Sequence, residues 1–237
     1  MNSIIRFIWS QITNTWIAVA EFFRGQDKKG NRKLALVIGI IAWGAIALGD
    51  VDAAPADGQV TSGAGTINQA GDTTTINQAT PNLSLSWGQF NIAPHEVVNF
   101  VQPSASAIAV NRIFDTSATQ IMGQLNANGQ IYLINPNGIV FGQGSQVNVG
   151  GLVASTLNIT DDNLNSATKT FSGDGTGSVI NQGKLVATTG GYIALLGNHV
   201  SNQGIISAQL GTVALAAGSA MTLTFADNSL VQLQVFD

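Results

Sequence analysis

Apolar positions in this chain come in short runs, broken every few residues by Gly, Asn or Asp, and beyond residue 56 that pattern predicts strands joined by tight corners. Leu83-Ser84-Leu85-Ser86-Trp87 alternates apolar and polar residues and reads as a half-buried strand. Thr66–Ala70 and Thr75–Ala79 repeat the same five residues, TINQA, on either side of Gly71-Asp72, which predicts a hairpin. Val97–Val101 and Ala107–Phe114 are two more strands, and Asp115–Leu125 has room for a short helical turn. Gln130–Ile134 and Ile139–Phe141 are apolar runs separated by Asn135-Pro136-Asn137-Gly138. Pro136 presets φ for the first central position of a turn, Asn137 tolerates a left-handed backbone, and Gly138 takes positive φ without steric cost. The glycines of Gly142-Gln143-Gly144-Ser145 then mark a corner.

After Gly150 the pattern acquires a period. Val179-Ile180-Asn181-Gln182-Gly183 returns as Val200-Ser201-Asn202-Gln203-Gly204, and Gly191-Tyr192-Ile193-Ala194-Leu195 as Gly211-Thr212-Val213-Ala214-Leu215. Short strands returning every 20 or so residues are the signature of a solenoid in which each coil stacks on the last at ~4.8 Å. Apolar side chains then point inward, and Asn at equivalent positions can ladder through amide hydrogen bonds. The antiparallel elements before residue 110 are expected to close the N-terminal end, which would otherwise expose unpaired backbone groups. Asn158–Ser178, polar and Gly-rich around Phe171, reads as an excursion from the coil with little regular structure. Leu230–Phe236 alternates as a strand with no turn or cap after it, as if further coils of a longer protein followed or the chain were a fragment.

Composition narrows the function. Charged residues make up 9% of the chain and apolar residues 45%, which argues against disorder. Of the basic residues, Arg6, Arg24, Lys28, Lys29, Arg32 and Lys33 precede residue 34. Beyond Ala56 three basic residues (Arg112, Lys169, Lys184) face nine acidic ones, a net charge of 3 − 9 = −6 that leaves no basic face for nucleic acid. There is no cysteine, which suits a chain that must stay threadable through an oxidising compartment.

The N-terminal cations lead into an uncharged run, Leu34–Leu48, whose helical length of about 22 Å falls short of a ~30 Å hydrocarbon core. Small residues follow, with Ala54 and Ala56 in an A-x-A pattern, so residues 1–56 read as a signal peptide cleaved after Ala54 or Ala56, and 57–237 as the mature domain. The segment before the run (Met1-Asn2, Arg6, Trp9, Thr15–Glu21) looks like an extended signal-peptide region; an amphipathic helix with Trp9 and Trp16 at a lipid interface is the compatible alternative.

Three words in the mature region, SWGQFNI (Ser86–Ile92), NPNGI (Asn135–Ile139) and FGQGSQVNVGGLVAST (Phe141–Thr156), resemble in order and spacing the two-partner secretion domain of filamentous haemagglutinin-type and high-molecular-weight adhesins of Gram-negative bacteria. The resemblance covers essentially the whole chain. It implies an all-β protein, a right-handed parallel β-helix with N-terminal antiparallel capping strands. It implies a secretion module rather than an enzyme. The Sec translocon would deliver it to the periplasm, and the POTRA domains of an outer-membrane β-barrel transporter would pass it to the cell surface or medium. Asn135, Pro136, Asn137, Gly138 and Ile139 are then the motif needed for secretion. A module that itself binds host-cell glycan or protein is the alternative.

Candidate chemistry is sparse. His95 and His199 lie about 100 residues apart without metal-ligand spacing, and no cofactor is implied. Asp161, Asp162 and Asp174 raise the thought of a β-helical polysaccharide enzyme, but acidic substrates call for basic groups that the body lacks. No catalytic residue and no metal ligand is therefore expected. Arg112, if buried, needs a carboxylate, with Glu96 or Asp115 the candidates by sequence.

Overall fold

The structure, a computed structural model, describes residues 5–10, 15–20, 54–226 and 229–236. From Thr73 onward the chain winds as a parallel β-helix with three strand positions per coil. The first position stacks Thr73–Gln78, Val97–Val101, Gln124–Ala127, then the leading halves of Gln146–Ser155 and Lys184–Gly197, then Ile205–Ala208. The second stacks Asn82–Trp87, Ile108–Ile113, Gln130–Ile134, the trailing halves of the same two long strands, and Thr212–Ala217. The third is the four-stranded sheet of Thr119–Ile121, Ile139–Phe141, Ser178–Asn181 and His199–Asn202.

Register explains the core. Val98, Leu125, Val147, Leu185 and Ile206 occupy one level of the first position, and Leu83, Ala109, Ile131, Leu152, Ile193 and Val213 one level of the second. Each added coil therefore covers the apolar row beneath it, and that burial rather than any local propensity holds the column together. Outside the column Asn126 donates to Asn99 at 3.1 Å and Asn148 to Asn126 at 3.0 Å, while at a corner Asn181 donates to Asn202 at 2.7 Å. Both sequence repeats fall in register, Val179 opposite Val200 and Ile193 opposite Val213.

The N-terminal end is closed as the sequence suggested. Gly65–Ala70 pairs antiparallel with Thr73–Gln78 around Gly71-Asp72, and Gln59–Ser62 pairs antiparallel with Asn82–Trp87. The change to parallel winding comes early, since Val97–Val101 and Ile108–Ile113 already lie in the parallel stack. Asp115–Leu125 holds the strands Thr119–Ile121 and the start of Gln124–Ala127 instead of a helical turn, because Ile121 is needed as an inward residue under Phe141.

A second core lies on the outside of the second strand position. There Val110, Tyr132, Val153, Tyr192 and Ala194 pack under Phe171, Met221, Leu223, Leu230 and Leu233. The covering layer is a three-stranded antiparallel sheet of Thr168–Ser172, Ala220–Ala226 and Ser229–Phe236. One sequence reading is corrected by it. Asn158–Ser178 is an excursion but a structured one, with a 3-10 turn at Asp161–Asn165 and a strand whose Phe171 is fully buried. Leu230–Phe236 lies in a strand, as its alternation suggests, and that strand pairs antiparallel with Ala220–Ala226 in the side sheet.

Before residue 54 the structure describes Ile5–Ser10 and Thr15–Ala20, an antiparallel pair whose second strand lies parallel to Thr212–Ala217. These residues are strands, not the amphipathic helix considered above; β-branched and aromatic residues beside an open sheet edge favour pairing. The apolar run Leu34–Leu48 lies outside the described residues.

The excursion is clasped to the first coils by charge. Arg112 Nη2 donates to Asp161 Oδ1 at 2.7 Å and to Ile159 O at 2.7 Å, and Ser84 Oγ donates to the same carboxylate oxygen at 2.7 Å. Asp161, not Glu96 or Asp115, is thus the partner of Arg112, because the excursion folds back across Ser84 and Arg112 of adjacent strands. Partial burial acts to raise the Asp161 carboxyl, but the Ser84 hydroxyl and the Arg112 guanidinium outweigh it and hold the group below the usual carboxylate range. A lowered carboxyl contributes stability above its unfolded value near 3.8 and loses it as pH falls through the folded one. Arg112→Ala is expected to lower stability by about 1–2 kcal/mol at neutral pH, solvent screening included. Its deficit should shrink as pH drops below about 4; urea unfolding from pH 7 to pH 3 checks both.

Candidate functional site

The turn at residues 135–138 links the second strand position to the third. Asn135 is fully buried, and its side chain is the hub. Asn135 Nδ2 donates to Ser117 O at 3.0 Å and Thr119 Oγ1 at 2.9 Å, and Asn135 Oδ1 accepts the Asn137 N–H at 2.9 Å. Gly138 N donates back to Asn135 O at 3.0 Å, closing the turn. Gly138 has φ +116°, and a Cβ there would come within 2.9 Å of Ser178 O in the next coil, so conformation and space both require glycine. Asn137 does not take up the left-handed conformation its residue type allows; among the described non-glycine residues Ala54, Asp57 and Leu210 do.

The turn is also stitched to both neighbouring coils. Thr119 N donates to Gly138 O at 3.0 Å and Asn137 Nδ2 to Asp115 O at 2.8 Å on one side, while Gly177 N donates to Pro136 O at 3.1 Å on the other. Ile139 is buried between Thr119 and Val179. The five motif residues therefore divide by direction. Asn135, Gly138 and Ile139 face the column; Pro136 and Asn137 are exposed.

Beside those two lies a shallow, mostly apolar depression of about 220 Å³, bounded by Arg112, Ile113, Phe114, Ile134, Pro136 and Asn137. Phe114 is 70% exposed at its rim, a large ring with no burial to explain it. Sequence reading missed Phe114, because the last apolar residue of the Ala107–Phe114 run looks like one more core residue until the coil geometry turns it outward.

Among the described residues no group of His, Cys, Asp or Glu is arranged to hold a metal ion. His95 lies 3.9 Å from Asp72, both side chains about two-thirds exposed. Asp161 is engaged by Ser84 and Arg112 as described. Gly142–Ser145 is a corner, with Ser145 N bonded to Gly142 O at 3.1 Å and Gly144 at φ +86°. Lys169, buried by the side sheet, donates to Leu164 O and Ser166 O at 2.7 Å each and lies 5.4 Å from the Phe225 ring; burial pulls its ammonium below the usual lysine value. Tyr132 and Tyr192 share a 3.0 Å hydroxyl contact in the second core, and burial raises both phenols.

Residues 51–235 match the family model of the TPS secretion domain, and residues 1–49 that of the extended signal peptide of the type V secretion system. A heme/hemopexin-binding protein of Haemophilus influenzae (strain Rd) is 37% identical over 187 residues, which are 74% of this chain and 20% of that protein. A second Haemophilus influenzae heme/hemopexin-binding protein is 40% identical over 100 residues, 42% of this chain and 11% of its own length. The chain thus spans about a fifth or less of the curated relatives it matches. Among solved structures, the HMW1 secretion domain from Haemophilus influenzae is similar at a TM-score of 0.70 and 31% identity, over 76% of this chain and 49% of that one. The filamentous hemagglutinin secretion domain, at a TM-score of 0.52 and 19% identity over 75% of this chain and 67% of that one, shares the fold.

Proposed function

Because the chain belongs to the TPS secretion domain family and begins with an extended signal peptide of the type V secretion system, we propose that it directs a longer exoprotein through a cognate outer-membrane transporter and nucleates that protein's β-helix. The signal peptide hands the unfolded chain to the Sec translocon. Extended segments then pair with strand edges of the transporter's POTRA domains. As coils emerge they stack on the capped N-terminal end, and each burial of apolar surface opposes backward movement. The domain acts as a targeting and folding module rather than as an enzyme.

The observation that carries this reading is the division of the secretion motif into a buried half that builds the column and an exposed half beside Phe114. Pro136, Asn137 and Phe114 form the contact offered to the transporter, and Asn135, Gly138 and Ile139 hold them in place. Asn137→Ala removes one exposed side-chain bond, so its effect on stability should stay within about 1 kcal/mol. Its affinity for the isolated POTRA domains, and its secretion in a co-expressed system, should fall several-fold. Unchanged binding together with unchanged secretion would remove the contact role.

A further inference from the structure

We infer that the leader is cut between Ala53 and Ala54, and that the α-ammonium group thereby created on Ala54 forms an ion pair with the buried carboxylate of Glu96. Glu96 is 7% exposed. Its Oε2 accepts the Ala93 N–H at 2.7 Å and, across 42 residues, the Ala54 N–H at 2.9 Å. Among the described residues the ion pairs are His95–Asp72 and Arg112–Asp161, so this carboxylate is held by amide donors without a counter-charge. A buried carboxylate in that position is costly. Hydrolysis of the 53–54 bond supplies what is missing. Water's oxygen adds to the Ala53 carbonyl carbon, the C–N bond breaks, and both of water's protons end on the Ala54 nitrogen as the Ala53 carboxyl ionises, giving an ammonium that already lies 2.9 Å from Glu96 Oε2.

Backbone conformation at Ala54 points to the same bond independently. Ala54 has φ +85°, a region in which the preceding carbonyl crowds an L residue's Cβ. Once the 53–54 bond is gone that carbonyl belongs to the leader and the strain disappears.

The alternatives in the A-x-A pattern fit the fold less well. A cut after Ala54 must hydrolyse the bond to Pro55, whose ring crowds the preceding residue. A cut after Ala56 would discard Pro55, which is buried, and Ala56, whose N–H donates to Gln89 O at 2.8 Å and whose carbonyl accepts the Gly88 N–H at 3.1 Å. Ala53 supplies the small residue that a leader peptidase reads immediately before the cut, and Val51, two positions back, stands where the A-x-A pattern has its first alanine. The cut also parts the leader strand Thr15–Ala20 from the domain it pairs with. The N-terminal cap of the β-helix is then completed by processing.

The full chain, expressed in a Gram-negative host and recovered after processing, tests this by N-terminal sequencing and intact mass. A start at Ala54 is expected; a start at Pro55 or Asp57, or an uncut chain, overturns it. Processing needs only the inner-membrane step, so failure of the transporter reading leaves the result intact. The ion pair is tested by acylation of the α-amine at neutral pH, read by peptide mass mapping. Native protein should react at least about tenfold more slowly than Glu96→Gln, a factor that equals one unit of proton affinity. Equal rates overturn the pairing. If Glu96→Gln does not fold, the wild type in urea replaces it, with the same expectation and the same overturning result.

Discussion

Asn135→Ala is expected to destabilise the domain by about 3–4 kcal/mol and to reduce secretion to background, whereas its neighbour Asn137→Ala leaves the fold intact. The difference lies in burial. Asn135 is fully buried, and its amide satisfies Ser117 O, Thr119 Oγ1 and the Asn137 N–H at once. Truncation removes three hydrogen bonds and leaves Ser117 O, the buried Thr119 Oγ1 and the Asn137 N–H without the partner they had. A domain of this size has a total stability of about 5–15 kcal/mol, so the loss takes a large share of it. The turn also joins three successive coils, through Thr119 on one side and Gly177 on the other, so loosening it releases Ile139–Phe141 from both neighbours. Equilibrium unfolding in urea, paired with recovery of the protein from the medium, gives both numbers. An Asn135→Ala protein that unfolds at the wild-type denaturant concentration would show that the motif's buried half does not hold the column. Asn135→Asp keeps the acceptor for Asn137 but loses the donors to Ser117 O and Thr119 Oγ1, and should lie close to the alanine variant.

The column itself was legible in the sequence because stacking rewards repetition. Similar words 20 or 21 residues apart can only be neighbours if each coil has that length, and Val179 and Val200 do sit opposite one another. The hairpin at Gly71-Asp72 was legible for a local reason, since its turn chemistry lies within a few residues. What could not be read was everything that depends on two distant segments meeting outside the column. Tyr192-Ile193-Ala194-Leu195-Leu196 is apolar at every position, which means burial on both faces. Nothing in that run says which segment covers the second face. The cover comes from Phe171, in a segment whose polar, Gly-rich composition suggests little regular structure, and from Met221, Leu223 and Leu233 near the end of the chain. The partner of Arg112 was missed for the same reason: Glu96 and Asp115 are close in sequence, while Asp161 comes from the excursion. In the motif, residue types showed that a turn was required. Only the stacking of coils shows that Pro136 and Asn137 are exposed and that Phe114 turns outward to meet them.

Adjacent glycines at 190 and 191 allow a sharper test of what stacking demands. Gly190 has φ +78°, and a Cβ placed on it would meet nothing within 4 Å, so it is needed for conformation alone. Gly191 has no such φ, but a Cβ there would fall onto the carbonyl oxygen of Gly150 in the coil below, with Thr188 O at 2.9 Å on the other side. The same relation recurs above it, where Gly211 lies against Gly191 O, and below it, where a Cβ on Gly150 would meet Gly129 O at 2.7 Å. The corner is therefore a stack of backbone on backbone that no rotamer change can relieve. Gly190→Ala should cost about 1–2 kcal/mol, the ordinary penalty of a left-handed alanine. Gly191→Ala should cost about 3 kcal/mol or more, at or beyond the upper end of overpacking, because the obstructing atoms belong to the ladder that pairs Gly151 with Tyr192 and Tyr192 with Thr212. For a domain of this length that difference corresponds to a fall in Tm of about 6–12 °C for Gly191→Ala, against about 2–8 °C for Gly190→Ala. Thermal unfolding followed by circular dichroism separates them. If Gly190→Ala proved the more damaging, positive φ rather than backbone contact between coils would set the glycine requirement at this corner. Gly191→Ala should also loosen Tyr192 from Phe225, whose rings lie 4.9 Å apart, and so free the side sheet before the column melts. Protease cleavage within 220–236 at temperatures where wild type resists would register that step, linking one added methyl group in a corner to the attachment of the outer layer.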